Sequence, residues 1–225
     1  RADDGKEILY FFIGREELFL NNFTEAEANL RYALELNPTY TRAQIGLGST
    51  LLKQARTVTP TARLQEPSLL LQALDAYLHG LELAAQEGDP LLINLANLAL
   101  AKNYRLLGET YYVLQEPEQA QRFFSLTREK IEQVADSLVE MRQYRLAAQA
   151  YEAAGAANLQ EGVMVLNLGD QAEARRLLNA ALTAYDACIA QGEQIFDEFL
   201  EATVIEAGCR RFHGEAETRL ASLGG

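Results

Sequence analysis

Side chains able to carry covalent or acid–base chemistry are scarce in this chain. Its 225 residues include two histidines, His79 and His213, and two cysteines, Cys188 and Cys209. A zinc site needs closely spaced Cys, His or carboxylate ligands, and the sequence contains neither a CxxC nor an HExxH. The serine nucleophile elbow, the P-loop and the dinucleotide-binding GxGxxG are missing from it as well. Paired carboxylates do occur, at Glu16 and Glu17, at Glu116 and Glu118, and at Asp197 and Glu198. General acid–base catalysis would need one of them desolvated in a pocket, and the polar runs around these pairs read as solvated faces and turns. The sequence therefore predicts no catalytic residue, no metal site and no cofactor. His79 reads as a core-edge or surface residue. Both cysteines fall in apolar helical pattern and read as buried thiols, with one disulfide between adjacent helices as the alternative.

Charge narrows the partners. The net charge is −12 and no Lys/Arg-rich run offsets it, which argues against nucleic acid. No run approaches the roughly 18 apolar residues that a membrane span needs, and no signal peptide is visible, so no direct membrane insertion is expected. A protein or peptide is the expected partner. The chain opens on Arg1 rather than Met. From this we expect a piece of a longer protein, in the cytoplasm or, with an upstream anchor, in a bacterial cell envelope.

The elements that must position any binding residue are helices arranged as repeats. Tyr104, Leu107, Gly108 and Tyr111 follow the spacing aromatic-x2-Leu-Gly-x2-Tyr, and Ala120 and Phe124 supply Ala-x3-Phe beyond a turn at Glu116 and Pro117. Gly14, Ala26, Leu30, Ala33 and Pro38 fall in the same order, and Gly14 and Gly48 are 34 residues apart. Ala73, Tyr77 and Gly80 occupy the corresponding second-helix places. Gly162, Ala174 and Leu178 align without gaps on Gly108, Ala120 and Phe124, 54 residues earlier. The physical sense is direct: a Gly on one helix lets its partner approach, a facing Ala keeps the approach open, and aromatics and leucines fill the groove beside it.

This pattern resembles the tetratricopeptide repeat. The resemblance implies an all-α, right-handed solenoid of about four helical hairpins with a C-terminal capping helix, in a single domain. The expected units are 7–38, 39–88, 89–140 and 141–192, with a cap over 193–225. Residues 55–67, rich in Thr, Pro and Arg, read as a loop inserted between the two helices of the second unit. The expected helices are 6–20, 24–36 (with Thr24 and Glu27 as a capping box), 40–54, 68–86, 91–115, 117–138, 142–168 and 170–191. A split of the seventh at Gly155 is the alternative. The cap is expected as a helix over 193–213, with Ile195, Phe196, Phe199, Leu200, Thr203, Val204 and Phe212 on one stripe, and a short helix over 215–223. The first helix is apolar almost all round, as a helix buried between neighbours or once covered by an upstream repeat would be.

The resemblance also implies where a partner binds. In tetratricopeptide proteins the first helix of each hairpin lines a concave groove, and residues flanking the small one look into it. Carried over position by position, these are Phe11, Arg15 and Phe19; Arg42, Ile45, Ser49 and Lys53; Lys102, Arg105, Glu109 and Tyr112; and Leu159, Val163, Leu166 and Asn167. Five of them, Arg15, Arg42, Lys53, Lys102 and Arg105, would concentrate positive charge on an acidic molecule and favour an acidic peptide or a C-terminal carboxylate. The fourth groove is apolar and suits a helix or a hydrophobic segment. The carboxylate clamp of the chaperone-binding members is not reproduced, because Phe11 and Gly46 stand where its Lys and Asn would be. The function implied is that of an interaction scaffold or adaptor rather than an enzyme; the regulatory or sensor portion of a larger membrane-anchored or signalling protein is the alternative, and a small-ligand carrier comes after it.

Overall fold

The computed structural model describes residues 5–57, 68–195 and 200–223, with the backbone alone over 200–203. Most of the expected 55–67 loop, and the side chains of Phe196, Phe199, Leu200 and Thr203, lie outside the described residues. Within them the chain is all-α, and successive helices pack on one another as in a helical repeat. The helices are α1 (Lys6–Phe19), α2 (Phe23–Leu36), α3 (Thr41–Thr57), α4 (Ser68–Glu87), α5 (Pro90–Val113), α6 (Pro117–Glu140), α7 (Tyr144–Asn167), α8 (Gln171–Gly192) and α9 (Leu200–Ala221). Among the described residues, no helix is long and apolar enough to cross a membrane.

Apolar spacing dictates which side of each helix is buried. α2 buries Ala26, Leu30 and Ala33, and α6 buries Ala120, Phe124, Thr127, Ile131, Val134 and Leu138. These alternating steps of three and four trace one face of a 3.6-residue helix. Four helix ends share one geometry. Asn21, Gln115, Arg142 and Gly169 take positive φ (62°, 63°, 56° and 93°). In each case the following N–H reaches back five residues, as from Asn22 to Glu17 and from Gln143 to Leu138. A left-handed residue closing a helix in this way satisfies carbonyls that would otherwise be orphaned. Asn and Gly are usual there and Arg is not, so the turn at Arg142 left little mark in the sequence.

Several expected boundaries move. α2 begins at Phe23 after an Asn22 cap, so Thr24 lies inside the helix and the capping box does not form; Glu27 pairs with Arg31 instead, at 2.7 Å. α3 runs on to Thr57, so Ala55–Thr57 are helical rather than loop. α7 passes through Gly155 unbroken, as the expected 142–168 helix does, and the alternative split does not occur. The cap is one helix through Gly214 rather than two, and Ile195 precedes it. Side-chain caps form at Asp89, accepting from Leu91 N–H at 2.9 Å, and at Asp170, accepting from Glu173 N–H at 3.0 Å.

Two compact units divide the chain, Arg1–Asn103 and Tyr104–Gly225, with the division inside α5. In the first unit α1 packs on α2 and α3, α2 on α3, and α3 on α4. Asn103 donates to the carbonyl of Leu70 at 3.0 Å, tying α5 to α4. In the second, α6 packs on α7, α7 on α8, and α9 on α8 and α7. α9 is held to α8 along its length: Cys188 and Cys209 form a disulfide, Tyr185 stacks on Phe212 with centroids 6.2 Å apart, and Arg175 donates to the carbonyl of Leu223 at 2.7 Å. The buried-thiol expectation is thus corrected. No cysteine is free, because the antiparallel pairing of the two helices puts the Cα atoms 6.3 Å apart.

Candidate partner-binding faces

Helix glycines set the hairpin seams, and the seams decide which side chains face outward. A Cβ on Gly14 would lie 2.8 Å from Leu30, one on Gly48 2.6 Å from the Tyr77 ring, one on Gly108 2.7 Å from the Phe124 ring, and one on Gly162 3.2 Å from Leu178. Ala26, Ala73, Ala120 and Ala174 are fully buried, as is Phe124. Tyr111 stacks on Phe123 with centroids 5.3 Å apart. A further seam was not read from the sequence: the Tyr185 ring would lie 2.6 Å from a Cβ on Gly155. Gly155/Tyr185 and Gly162/Leu178 sit two helical turns apart on the same α7–α8 hairpin, so this longer hairpin repeats the device twice.

The first-unit face is built by α1 and α3. Arg42, Ser49 and Lys53 share one stripe of α3, at steps of seven and four. Arg42 and Lys53 are exposed, and among the described residues neither forms an ion pair. Arg15 is exposed on α1, with Glu16 at 3.5 Å on its own helix and its guanidinium 5.2 Å from the Phe12 centroid. Phe11 meets Tyr40 edge-on at 5.3 Å and would lie 3.8 Å from a Cβ on Gly46. The two positions where a clamp would place Lys and Asn are therefore neighbours, and an aromatic pair stands beside them. Burial, chiefly, raises the Tyr40 pKa; nearby Arg42 opposes the rise and Glu7 adds to it. Lys102 belongs to this unit too, half-buried on α5.

The second-unit face is chemically different. Arg105 pairs with Glu109 one turn along α5, and Glu109 also accepts from Gln160 of α7 at 2.7 Å. Asn167 of α7 donates to the hydroxyl of Tyr112 at 2.8 Å. Arg105 and Tyr112, both candidates from the sequence, are thus committed to neighbours within the protein. Arg128 of α6 similarly pairs with Glu161 of α7, whose side chain is only 7% exposed.

Buried polar groups were the other feature missed. Asn97 and Asn103 keep a buried Oδ1, and Tyr185 a buried hydroxyl, with no hydrogen-bond partner among the described residues. They sit in helical stretches whose apolar pattern masks them. His79 borders a groove of about 520 Å³ with Arg31, Gln44, Gln72, Asp75 and Glu82. His213 lies 3.2 Å from Asp186, across the α8–α9 contact. Among the described residues no group of three His, Cys, Asp or Glu side chains could hold a metal ion.

Compared with models of known families the chain matches none, and no curated protein matches it either.

Proposed function

We propose that the chain is a tetratricopeptide-type interaction module without catalytic activity, which holds an acidic peptide on the α1–α3 face of its first unit. The observation that carries this reading is the exposed Arg42 and Lys53, on one stripe of α3 and without ion pairs among the described residues. On a molecule of net charge −12 such a patch is a local exception. An acidic ligand is drawn to it and a basic one is repelled from it. The Phe11–Tyr40 pair, near Arg42, offers apolar contact for a ligand side chain.

Fluorescence anisotropy with a labelled Asp/Glu-rich peptide ending in a free carboxylate tests this. The Arg42→Ala/Lys53→Ala chain should bind on the order of tenfold more weakly, and the parent affinity should fall as salt is raised. Equal affinity in parent and double variant would remove the site from this face.

A second reading is favoured by one observation. The Cys188–Cys209 disulfide suits an oxidising compartment, where such bonds persist. The module would then be an envelope or secreted portion of a larger protein. Thiol-alkylation mass shifts of the full-length protein in native cells test that: cysteines found reduced at steady state would exclude it.

A further inference from the structure

The Gly155/Tyr185 seam of the second unit repeats the Gly48/Tyr77 seam of the first, and each seam has a groove beside it. The first is the groove of about 520 Å³ that His79 borders, and the second, of about 720 Å³, is lined by α6, α7 and α8. Setting Gly155 on Gly48 and Tyr185 on Tyr77 brings the two linings into one register. The floor positions Gln44, Leu47 and Leu51 of α3 become Tyr151, Ala154 and Asn158 of α7. The wall positions Gln72, Asp75 and His79 of α4 become Ala180, Thr183 and Ala187 of α8. One hollow is therefore built twice, and the larger copy is the one whose wall lacks long side chains. Helices precede and follow both sets in the chain and close neither groove.

Polar groups in the second groove are left without partners. Asn158 stands where Leu51 makes an apolar floor, and it is only 5% exposed. Among the described residues its one hydrogen bond is that accepted by Oδ1 from Arg128 at 3.5 Å, so its amide N–H groups donate to nothing. Leaving a buried donor unmade is costly, and an acceptor on a ligand recovers that cost. On the α6 rim Glu132 and Asp136 are exposed, and among the described residues neither forms an ion pair. The arginines at the Asn158 end are spent, Arg128 on Glu161 and Arg176 on Glu173. The unbalanced charge of the groove is therefore negative. Asp136 lies two turns of α6 beyond Arg128, near Tyr151, whose pKa is raised by burial first and then by the Asp136 charge.

A ligand for this groove must bring an acceptor to Asn158 and a cation to the rim. The two places are about 10 Å apart, the rise of the seven residues from Tyr151 to Asn158. An extended peptide meets both demands. Its backbone carbonyl suits the amide, about three residues of chain cover the distance, and the alkyl stem of a Lys or Arg can lie on Ala154, Ala180 and Ala184.

We propose that the α6–α7–α8 groove binds an extended, Lys- or Arg-bearing segment of a partner protein, with a backbone carbonyl on Asn158 and the cation on Glu132 and Asp136. This site prefers the opposite charge to the α1–α3 face and does not rest on that reading.

The probe is a labelled, end-blocked pentapeptide of alternating Ala and Lys, titrated against the intact chain by anisotropy. Ala180→Gln/Ala187→His gives the second groove the residue types that α4 already carries, and should weaken binding about tenfold without lowering the melting temperature. Asn158→Leu, which copies Leu51, should weaken it about fivefold. Glu132→Gln/Asp136→Asn should weaken it about tenfold. Glu116→Gln/Glu118→Gln removes the same charge from the same unit and should leave it within about twofold, and Arg42→Ala/Lys53→Ala should leave it unchanged. No binding of the peptide, full affinity in the groove-filled chain, or equal weakening by the two carboxylate pairs overturns the proposal. So does spermidine, a cation without a carbonyl, competing at the affinity of the peptide itself, since the site would then read charge alone.

Discussion

Tyr77 in the first unit and Tyr185 in the second do the same job with different consequences. Each lays its ring over a helix glycine, Gly48 or Gly155, and each is almost wholly buried. The Tyr77 hydroxyl bonds to Ser49 at 3.3 Å, whereas the Tyr185 hydroxyl has no partner among the described residues. The outward polar chemistry contrasts in the opposite sense. In the first unit Arg42 and Lys53 face solvent without ion pairs among the described residues, and in the second Arg105, Glu109, Gln160, Tyr112 and Asn167 bond to one another. One packing rule thus serves a face whose two cations stay exposed and a face closed on itself. The second unit is further closed by its disulfide and by α9. A stable helical frame does not specify what its surface does; the pairing of a few long side chains decides that.

The largest test of this contrast is the disulfide. Replacing both Cys188 and Cys209 by Ala removes a link between residues 21 apart in sequence and should cost the second unit about 3 kcal/mol. Hydrogen-exchange mass spectrometry should show protection lost in α8 and α9 and kept in α1–α3. Equal loss in both units would erase the distinction drawn between them.

A smaller effect separates the two glycines of the α7–α8 hairpin. Ala in a helix gains about 1 kcal/mol over Gly, but overpacking costs about 1–3 kcal/mol. Gly155→Ala puts a methyl 2.6 Å from a fully buried ring and should be net destabilising, as should Gly48→Ala in the first unit. Gly162→Ala meets Leu178 at 3.2 Å, a contact a slight shift relieves, and should be neutral or stabilising. Thermal melts of the three variants rank them, and Gly155→Ala melting above Gly162→Ala would sink the seam argument.

Smallest is the difference between the tyrosine hydroxyls. Tyr77→Phe discards a hydrogen bond and should cost about 1 kcal/mol, whereas Tyr185→Phe removes an unsatisfied group and should be neutral or favourable. Their alkaline behaviour follows from the same burial. Desolvation first of all raises both pKa values; Ser49 opposes the rise at Tyr77, and Arg105 opposes it at Tyr185. An unfolded tyrosine ionises near pH 10 while the folded one keeps its proton, so this stability is complete below about pH 10 and is lost as pH rises further. Chemical denaturation across that range should be flatter for Tyr185→Phe than for the parent. An unchanged slope would show that Tyr185 ionises in the folded chain as readily as in the unfolded one.

Much of the frame was legible because its causes are local. The apolar steps of three and four name the buried side of α2 and α6 from sequence alone. Helix bounds blurred where the local signal was ordinary. Arg142 closes α6 in a left-handed conformation that its side chain does not advertise, and Thr24 had the right residue type for a cap that Asn22 took. Gly155 lies inside the helix expected over 142–168 and left a split open as the alternative; that it is a seam depends on the Tyr185 ring 30 residues away in sequence.

The candidate site was legible only as an inventory. Sequence determined that the chain is helical, strongly acidic and poor in catalytic groups, and that cations recur on the first helices of the first three hairpins. These properties belong to composition and to the 3.6-residue period, so they survive without knowledge of neighbours. Only the tertiary structure decided that Glu109 accepts from Gln160 of α7, that Asn167 of α7 meets the Tyr112 hydroxyl, and that Cys188 meets Cys209. Each of those depends on which helix lies alongside, a distance in space that no spacing along one helix contains.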